Sequence, residues 1–473
     1  MKNSQEIKKF NLGDKKKVHF IGIGGISMSA IALILQKNGF IVQGSDFHTS
    51  DNVEMLVSKG IKVYIGHKKE NITSDIDIVV YSKAIKKDNE EMVAAENLGI
   101  HLMSRSEILG QIMSNYDKKI CVAGTHGKTT TTALVSKVLL DIGLDPTINV
   151  GGIVDEIGGN SHIGSGNNIF VAEACEYTNS FLDFSADIEV ITNIEEDHLD
   201  FFKDLADIRA SFKKFVELLP EGGTLVINSK IEDIGYLTKD ADIKVLSYGD
   251  DETAMYYYDN VSYDDKYYQS FDVHKDKKLI GRMRQKLIGK HNALNFLATY
   301  AVLDNLGVSF DIAKKSIENF KGARRRLEIR GKKDGVTYMD DYAHHPTEIT
   351  ASINALAELK YNKLYVIFQP HTFSRTKALK DDFVNALSRI ENVILAKIYP
   401  AREIDTGEIS SKDLKDGIIK NRTNTNNINN ICEYFDSFED IYDYISKLAK
   451  KGDIVVTMGA GDVYKLLDKY NFE

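Results

Sequence analysis

Short apolar runs, each followed by a turn and then a segment with helical periodicity, recur along the whole chain. In the first of them, Val18–Ile23 predicts a strand, the glycines at 22, 24 and 25 predict a turn, and 27–38 predicts a helix. Strands of parallel sheets are buried on both faces and therefore show continuous apolar runs. The pattern predicts an α/β fold built from parallel sheets.

Three such blocks follow one another, which predicts a chain of three α/β domains. We place them at 1–108, 109–322 and 323–473, and expect the first to be Rossmann-like. A Tyr- and Asp-rich stretch near 250–275 predicts hairpins, and the Asn-rich stretch 421–430 predicts a surface loop. The unusual polar residues follow the apolar runs, at the strand ends where open parallel sheets bind their ligands.

The composition of the chain argues against several classes of function. The 473 residues carry a formal net charge of −9, which argues against a nucleic-acid partner. The three cysteines have no disulfide or metal-binding spacing. The basic N-terminus lacks the apolar core of a signal peptide, and no run is long enough to cross a membrane. We therefore expect a cytoplasmic protein with neither membrane nor nucleic acid as a partner.

The segment CVAGTHGKTTTTAL, 121–134, resembles a phosphate-binding loop of the P-loop type. Glycines let backbone N–H groups converge on an anion, Lys128 would reach the outer phosphates, and the Thr129 hydroxyl would bind Mg²⁺. The loop is shorter than the usual form, because Gly124 precedes Gly127 by only three positions. A tight strand–helix turn with an exposed lysine is the alternative. The flanking strand and helix favour a central domain of the P-loop ATPase type.

Two strand ends in the same block offer metal ligands. Glu173 ends one apolar run, and Asn193, Asp197 and His198 follow another. A carboxylate buried at a strand end is unfavourable unless it is paired or metal-bound. Each residue alone is equally compatible with a salt bridge or an ordinary loop histidine.

The first glycine turn, GIGGIS, resembles a dinucleotide-binding fingerprint in which Ser27 replaces the third glycine. Asp46 follows at about the distance of the acid that commonly meets a ribose. The turn can hold a diphosphate, but it does not distinguish a nicotinamide cofactor from a nucleotide-sugar.

Four further motifs carry side chains that suit anions or amides. They are GKHNALN, GARRRLEIRG, DDYAHHP and QPHTFSRT. Amides can hold a base edge, and arginine forks suit phosphate or carboxylate. Helix capping and a solvated basic linker are the alternatives.

These motifs, in this order, resemble the Mur ligase family, and most closely its members that add L-alanine. The shortened glycine loop is that family's own form. The resemblance implies an N-terminal domain that binds the UDP part of the substrate, a central domain that binds ATP, and a Rossmann-like C-terminal domain that receives the amino acid. It also implies ATP-dependent amide-bond formation, through an acyl phosphate, between L-alanine and the lactyl carboxylate of UDP-N-acetylmuramate in peptidoglycan precursor synthesis.

The resemblance also implies cofactors, partners and site residues. Mg²⁺ is expected as two ions, with Mn²⁺ able to substitute, in a monomer or weak homodimer. The ATP-binding residues implied are Gly124, Thr125, His126, Gly127, Lys128, Thr129, Thr130, His291, Asn292, Asn295, Arg326 and Asp341. The UDP-substrate residues implied are Gly24, Gly25, Ile26, Ser27, Asp46, Ser82, Arg105, Thr125, His126, Tyr342 and His344. The metal ligands implied are Thr129, Glu173 and His198. The catalytic residues implied are Lys128, His198, Arg326, His344 and Arg375.

Other functions are less compatible with the sequence. A related ligase adding a peptide or a later amino acid is the nearest alternative, and a folate-type polyglutamate ligase would lack the first domain. A nicotinamide-dependent oxidoreductase would leave Lys128, Glu173 and the arginines without a role. A non-catalytic UDP-sugar-binding protein would have no need of the lysine and the metal ligands.

Overall fold

The computed structural model describes residues 16–82, 85–198, 201–401, 403–424 and 430–472. These residues form two compact units. The first runs to Tyr258 and includes Val273–Ile280 and Leu294–Ile317. The second comprises Asp259–Asp272, Gly281–Ala293 and the chain from Glu318 onward. Among the described residues, none belongs to a helix long and apolar enough to span a membrane.

The N-terminal sheet is parallel, with strand order β3-β2-β1-β4-β5. Its strands are β1 (Lys17–Ile21), β2 (Ile41–Asp46), β3 (Lys62–Ile65), β4 (Ile78–Tyr81) and β5 (His101–Ser104). Its helices are α1 (Ile26–Lys37), α2 (Asp51–Ser58), α3 (Glu90–Asn97) and α4 (Arg105–Met113). Strands β2 and β4 lie on either side of β1, so the order in which strands are added to the sheet changes direction at β1. The turn that follows β1 lies at this point.

The central sheet has ten strands in the order β15-β14-β13-β12-β11-β10-β6-β9-β7-β8. The strands are β6 (Lys118–Ala123), β7 (Thr147–Val154), β8 (Gly159–His162), β9 (Ile169–Glu173), β10 (Ile188–Ile191), β11 (Thr224–Asn228), β12 (Lys244–Gly249), β13 (Tyr256–Tyr263), β14 (Gln269–Lys275) and β15 (Lys278–Gln285). The helices are α5 (Lys128–Asp141), α6 (Leu205–Val216), α7 (Ile234–Thr238), α8 (Lys290–Asn305) and α9 (Phe310–Ile317). Because β10, β6 and β9 are parallel neighbours, their carboxyl ends meet at one edge.

The last sheet has six strands in the order β16-β17-β21-β18-β19-β20. The strands are β16 (Glu328–Lys333), β17 (Val336–Asp341), β18 (Leu364–Phe368), β19 (Asn392–Leu395), β20 (Cys432–Tyr434) and β21 (Ile454–Met458). The helices are α10 (Pro346–Ala357), α11 (Phe373–Ala378), α12 (Lys380–Ser388), α13 (Ser411–Asn424) and α14 (Phe438–Leu448). Within the described part of this sheet the β16–β17 pair is antiparallel and the other neighbouring strands are parallel.

The cores follow the apolar runs of the sequence. Buried residues from the first sheet, such as Phe20, and from the central domain, such as Phe170 and Phe212, belong to one continuous cluster. A separate cluster around Phe368 and Leu387 lies beneath the last sheet. The three sheets, which are wholly or mainly parallel, confirm the predicted three-domain α/β architecture, while the predicted limits at 108/109 and 322/323 stay predictions.

The prediction of a loop at 421–430 is wrong for its first four residues, which are the last turn of α13. Arg422 is buried there, and its guanidinium donates to the carbonyls of Ile390 and Ile431. These hydrogen bonds hold the helix beyond the point where the asparagines suggest a turn. Residues 425–429 lie outside the described residues.

Candidate active site

The glycine loop connects the end of β6 to the first turn of α5. Gly124 and Gly127 have φ of +130° and +83°, in the region that favours glycine. A Cβ on Gly124 would lie 2.1 Å from Thr192 Oγ1, and one on Gly127 would lie 2.5 Å from Asn295 Oδ1. No side chain caps α5, whose first N–H groups are therefore a natural anion site.

The loop is held in place by the residues that follow β10. The His126 N–H donates to Asn193 Oδ1 at 2.7 Å, and the His126 carbonyl accepts from Asn193 Nδ2 at 3.1 Å. Thr192 Oγ1 also donates to the His126 carbonyl, at 2.5 Å. Asn193 thus makes a two-point contact that fixes the path of the backbone, and Thr125 Oγ1 adds a link by accepting from the Glu195 N–H at 3.0 Å.

Lys128 lies at the centre of this cluster, with only 12% of its side chain exposed. Its Nζ donates to the carbonyls of Gly124, at 2.5 Å, and Thr125, at 3.0 Å. It also contacts both carboxylate oxygens of Glu176, at 3.0 and 3.2 Å. Burial opposes the charge, but the neighbouring carboxylates, Glu176 above all, outweigh it and raise the pKa of Lys128. The ammonium is therefore fully charged at neutral pH.

Thr129 and Glu173 meet directly beside the lysine. Thr129 Oγ1 donates to Glu173 Oε2 at 2.9 Å, and the Gly151 N–H donates to the same oxygen at 2.7 Å. A Cβ on Gly151 would lie 2.7 Å from both Glu173 oxygens, so the carboxylate occupies space that only a glycine at position 151 leaves free. A hydroxyl and a carboxylate form a donor set of hard oxygens, which fits Mg²⁺.

His198 lies on the other side of Glu176. Its Nε2 is 4.0 Å from Glu176 Oε1 and 3.8 Å from Asp197 Oδ2, and its ring centre is 4.5 Å from that of Tyr177. Within the described part of the chain, no three His, Cys, Asp or Glu side chains form a ready-made metal cluster. Any ion at Thr129 and Glu173 would accordingly need ligands from elsewhere.

The N-terminal glycine turn is bonded to its surroundings through its backbone. The Gly24 N–H donates to Asp46 Oδ2 at 2.8 Å, so this carboxylate supports the turn. Asn160 Nδ2, from β8, donates to the Ile26 carbonyl at 2.6 Å. Gly25 caps α1 without a side chain, and the Ser27 hydroxyl oxygen is buried with no hydrogen-bond partner in the described structure.

Ser82 and Arg105 follow neighbouring strands of the same sheet. Ser82 comes directly after β4, and its carbonyl accepts from the Ile85 N–H at 2.9 Å. Arg105 is the first residue of α4, whose capping box is formed by Ser104 and Glu107. Both positions lie at the carboxyl edge of the N-terminal sheet.

In the second unit, Glu348 brings together two predicted site residues. Its carboxylate accepts from Arg326 Nη1 at 3.3 Å and lies 3.2 Å from His344 Nδ1. The Tyr342 carbonyl is 3.1 Å from the same histidine nitrogen. Burial raises the pKa of the Asp341 carboxyl to about 6, against the opposing hydrogen bond from Ser352.

Arg375 lies in α11, which begins just after β18. Its Nη1 donates to the His371 carbonyl at 3.1 Å. Burial, followed by the charges of His344 and Arg375, lowers the pKa of His371 to about 4, so this imidazole is neutral at physiological pH. The rings of His371 and Tyr399 are stacked at 5.5 Å.

The GKHNALN motif places three predicted site residues, His291, Asn292 and Asn295, at the start of α8. Asn292 is buried and donates to the Ile288 carbonyl at 2.8 Å, as the capping alternative anticipates. Asn295 accepts from Thr131 Oγ1 at 3.3 Å and packs against Gly127. A Cβ on Gly289 would lie 2.9 Å from the His291 ring. Asn295 is therefore the member of this motif that contacts the glycine loop.

Three family models match the chain, one after another. The one described as "Mur ligase family, catalytic domain" matches 17–117, "Mur ligase middle domain" matches 122–303, and "Mur ligase, glutamate ligase domain" matches 325–461. The chain belongs to the Mur ligase family. This confirms the resemblance inferred from the motifs, and membership implies ATP and Mg²⁺ in general.

Relatives of similar length lie close in sequence. A UDP-N-acetylmuramate–L-alanine ligase of Lachnospira eligens is 47% identical over 459 residues, 97% of this chain and 98% of its own. One from Agathobacter rectalis is 45% identical over 449 residues, 95% and 96% of the two chains. The solved structure of the UDP-N-acetylmuramate–alanine ligase of Thermotoga maritima has a TM-score of 0.79 at 29% identity, covering 96% and 97% of the chains.

Sequence reasoning missed two residues that contact or adjoin predicted site residues, one in each unit. In the first unit Glu176 pairs with Lys128, and in the second the partly buried Arg325 adjoins Arg326. Arg325 Nε donates to Asp340 Oδ2 at 2.9 Å, and its Nη atoms donate to the carbonyls of Gly459 and Gly461, at 2.6 and 3.1 Å. Their only signal in the sequence is adjacency to a motif residue.

Proposed function

We propose that this Mur ligase joins L-alanine to the lactyl carboxylate of UDP-N-acetylmuramate in peptidoglycan precursor synthesis, using ATP. The observation that carries the proposal is the glycine loop with its charged Lys128, directly beside the Thr129–Glu173 pair. The names of the relatives at 45–47% identity support the choice of substrates. A cytoplasmic location is part of the proposal, since ATP and the UDP-sugar are cytoplasmic metabolites.

The triphosphate is proposed to lie on the glycine loop and the uncapped first turn of α5. The backbone N–H groups from Gly127 to Thr130 would donate to phosphate oxygens, and Lys128 would balance the charge of the outer ones. Thr125 and His126, whose own N–H groups bond to Asn193, are proposed to lie beside the triphosphate. Asn295 packs against Gly127, which supports a position next to the nucleotide. His291 and Asn292 remain proposed for the adenine side.

Thr129 and Glu173 are proposed to hold Mg²⁺, with His198 at a second metal position and Mn²⁺ able to substitute. Bound there, the ion would supply positive charge opposite the transferring phosphoryl group and orient it. The remaining ligands would be phosphate oxygens and water, as is usual for Mg²⁺.

The UDP part of the substrate is proposed to lie on the N-terminal turn. Gly24, Gly25 and Ile26 open α1, whose N-terminus carries no side-chain cap. The buried Ser27 hydroxyl without a partner is a donor that a diphosphate oxygen would satisfy. Asp46 would act mainly by holding the turn, and Ser82 and Arg105 lie at the same sheet edge.

The chemistry requires two anions to react, because the substrate carboxylate attacks the γ-phosphate. Lys128 would donate hydrogen bonds to the phosphoryl oxygens as their charge shifts toward ADP. The product of this step is an acyl phosphate, and the alanine amine then attacks its carbonyl and expels phosphate. Arg326 and Asp341 are proposed for the nucleotide, and Tyr342 and His344 for the muramoyl group.

Arg375 is proposed to bind the alanine carboxylate. A guanidinium suits a carboxylate because it offers parallel N–H donors. Arg375 Nη1 is fixed by the His371 carbonyl at 3.1 Å, which orients the fork. Because His371 is neutral, it adds no competing positive charge.

A substrate with heavy oxygen in its lactyl carboxylate tests the proposal. The enzyme would be supplied with this substrate, ATP, Mg²⁺ and L-alanine, and the products analysed by mass spectrometry. The proposal predicts that the UDP-sugar gains one alanine and that the released phosphate carries one heavy oxygen. Unlabelled phosphate would contradict the acyl phosphate, and reaction with a peptide or a later amino acid instead of alanine would favour the nearest alternative.

A further inference from the structure

The ammonium of Lys128 has its hydrogen-bonding capacity filled by protein groups. An ammonium has three N–H donors and no acceptor. The structure supplies three acceptor groups: the Gly124 carbonyl at 2.5 Å, the Thr125 carbonyl at 3.0 Å and the Glu176 carboxylate at 3.0 Å. A phosphate oxygen that bonds to this lysine must therefore replace one of them.

Glu176 is the charged member of the three. It is only 2% exposed and caps the short 3₁₀ segment Tyr177–Asp183, where its carbonyl accepts from the Asn179 N–H at 2.9 Å. Its backbone is therefore held while its carboxylate reaches Lys128. The Nε2 of His198 lies 4.0 Å from Glu176 Oε1.

The carboxylate and a nucleotide phosphate compete for the same cation. Both are anionic oxygen acceptors, and each would be stabilised by the Lys128 charge. The two carbonyls are loop backbone and cannot leave without unfolding the glycine turn, whereas a side chain can rotate away. Glu176 is the acceptor that can be exchanged.

We propose that Glu176 is a positioning residue that occupies the phosphate-facing hydrogen bond of Lys128 until an outer phosphate of the nucleotide replaces it. The proposal rests on the proposed ATP-dependent function. In this arrangement the Lys128 ammonium is charged and ordered before the nucleotide binds. Because the nucleotide must displace the Glu176 carboxylate, it binds more weakly than it would to the same loop without that carboxylate.

A permanent structural ion pair is the competing interpretation. In that case Glu176 stays on Lys128 when the nucleotide binds, and its removal leaves a buried cation without its partner. The two interpretations predict different changes in nucleotide affinity when the Glu176 carboxylate is removed. Exchange predicts tighter binding without the carboxylate, and a permanent pair predicts weaker or unchanged binding.

The experiment measures binding of a non-hydrolysable ATP analogue with Mg²⁺ by calorimetry, for the full chain and three variants. Glu176→Gln removes the charge and keeps the shape, whereas Glu176→Asp keeps the charge. Glu433→Gln is the matched control, because the Glu433 carboxylate pairs with Lys415, a lysine of α13 outside the glycine loop, at 2.7 Å. We expect the dissociation constant of Glu176→Gln to fall about tenfold, which corresponds to about 1.4 kcal/mol, while Glu176→Asp and the control stay near the wild-type value.

Unchanged or weaker binding by a folded Glu176→Gln overturns the proposal, as does equal tightening in the Glu433→Gln control. If Glu176→Gln does not fold, a crystal structure of the wild type with the analogue decides the question: a broken Lys128–Glu176 pair supports exchange, and a retained pair overturns it. Failure of the wild type to bind the analogue would contradict the proposed function itself, which separates the two outcomes.

Discussion

Lys128 is the single residue on which the proposed chemistry depends most. Replacing it with alanine removes the buried positive charge from the glycine loop, and we expect phosphate release to fall by about a hundredfold or more. Lys137→Ala is the matched control, because Lys137 lies on the same helix and pairs with Asp141, one turn further along it. Near-normal turnover of Lys128→Ala would remove the ATP-dependent assignment.

Arg375 tests the amino-acid side. Its loss should raise the KM for alanine by about tenfold or more while leaving the KM for ATP nearly unchanged, because only the alanine carboxylate would lose a charged partner. Steady-state kinetics with each substrate varied in turn measures both. An unchanged KM for alanine would mean that another group holds the carboxylate.

Glu189 makes stability depend on pH. It is fully buried in β10, and neither carboxylate oxygen has a hydrogen-bond partner among the described residues. Burial raises the pKa of Glu189 well above its ordinary 4.5. As the pH rises above 4.5, the Glu189 carboxyl of the unfolded chain loses its proton, whereas that of the folded chain keeps it. The free energy of unfolding therefore falls by up to about 1.4 kcal/mol per pH unit.

Glu189→Gln removes this dependence because an amide does not titrate. Thermal unfolding followed from about pH 5 to about pH 8 should show a melting temperature that exceeds the wild-type value by an amount that grows with pH. A difference independent of pH would mean that the Glu189 carboxyl does not titrate differently in the two states.

The residues that could be predicted from the sequence are those in contiguous motifs. Lys128 and Thr129 adjoin the glycines of their loop, and Glu173 ends its own apolar run. Glu176 and Arg325 could not be predicted, since their roles depend on groups 48 and 15 residues away, respectively. Contacts over such separations leave no periodic pattern in a single sequence.

At the scale of elements, the hairpin formed by β7 and β8 connects the two predicted sites of the first unit. The Gly151 N–H bonds to Glu173, and Asn160 bonds to the Ile26 carbonyl at the N-terminal turn. The hairpin could be recognised only in the structure, because its residues show neither a charged motif nor a clear apolar alternation.

Gly151→Ala tests this hairpin. The added Cβ would lie 2.7 Å from the Glu173 oxygens and must displace the carboxylate, so we expect the Mg²⁺ concentration for half-maximal activity to rise about tenfold. Gly166→Ala is the control, because its Cβ would meet only Asn168 side-chain atoms, the nearest at 3.8 Å. An unchanged Mg²⁺ requirement in Gly151→Ala would show that the function of Glu173 does not depend on the space that Gly151 leaves free.

Element boundaries were less predictable than element types. The apolar run before Asn193 forms a strand that ends at Ile191, because Thr192 and Asn193 turn their side chains to the His126 carbonyl. The helix α13 continues to Asn424 because buried Arg422 bonds to distant carbonyls. In both places tertiary hydrogen bonds override local preference.

At the scale of the whole molecule, the parallel strands of the three sheets follow from the recurring apolar runs. The assignment of the chain to two compact units could not be predicted, because it depends on a shared core that includes Phe20 and Phe212. The net charge of −9 fits anionic substrates only if positive charge is local, as it is at Lys128.

The most direct test of the central claim is phosphate release from ATP with UDP-N-acetylmuramate and Mg²⁺ across a panel of amino acids. We predict release that requires the UDP-sugar and is fastest with L-alanine, with slower release for glycine and serine because a methyl-sized pocket discriminates by only about 1–3 kcal/mol. Release that is independent of the UDP-sugar, or absent with every amino acid, would contradict the account.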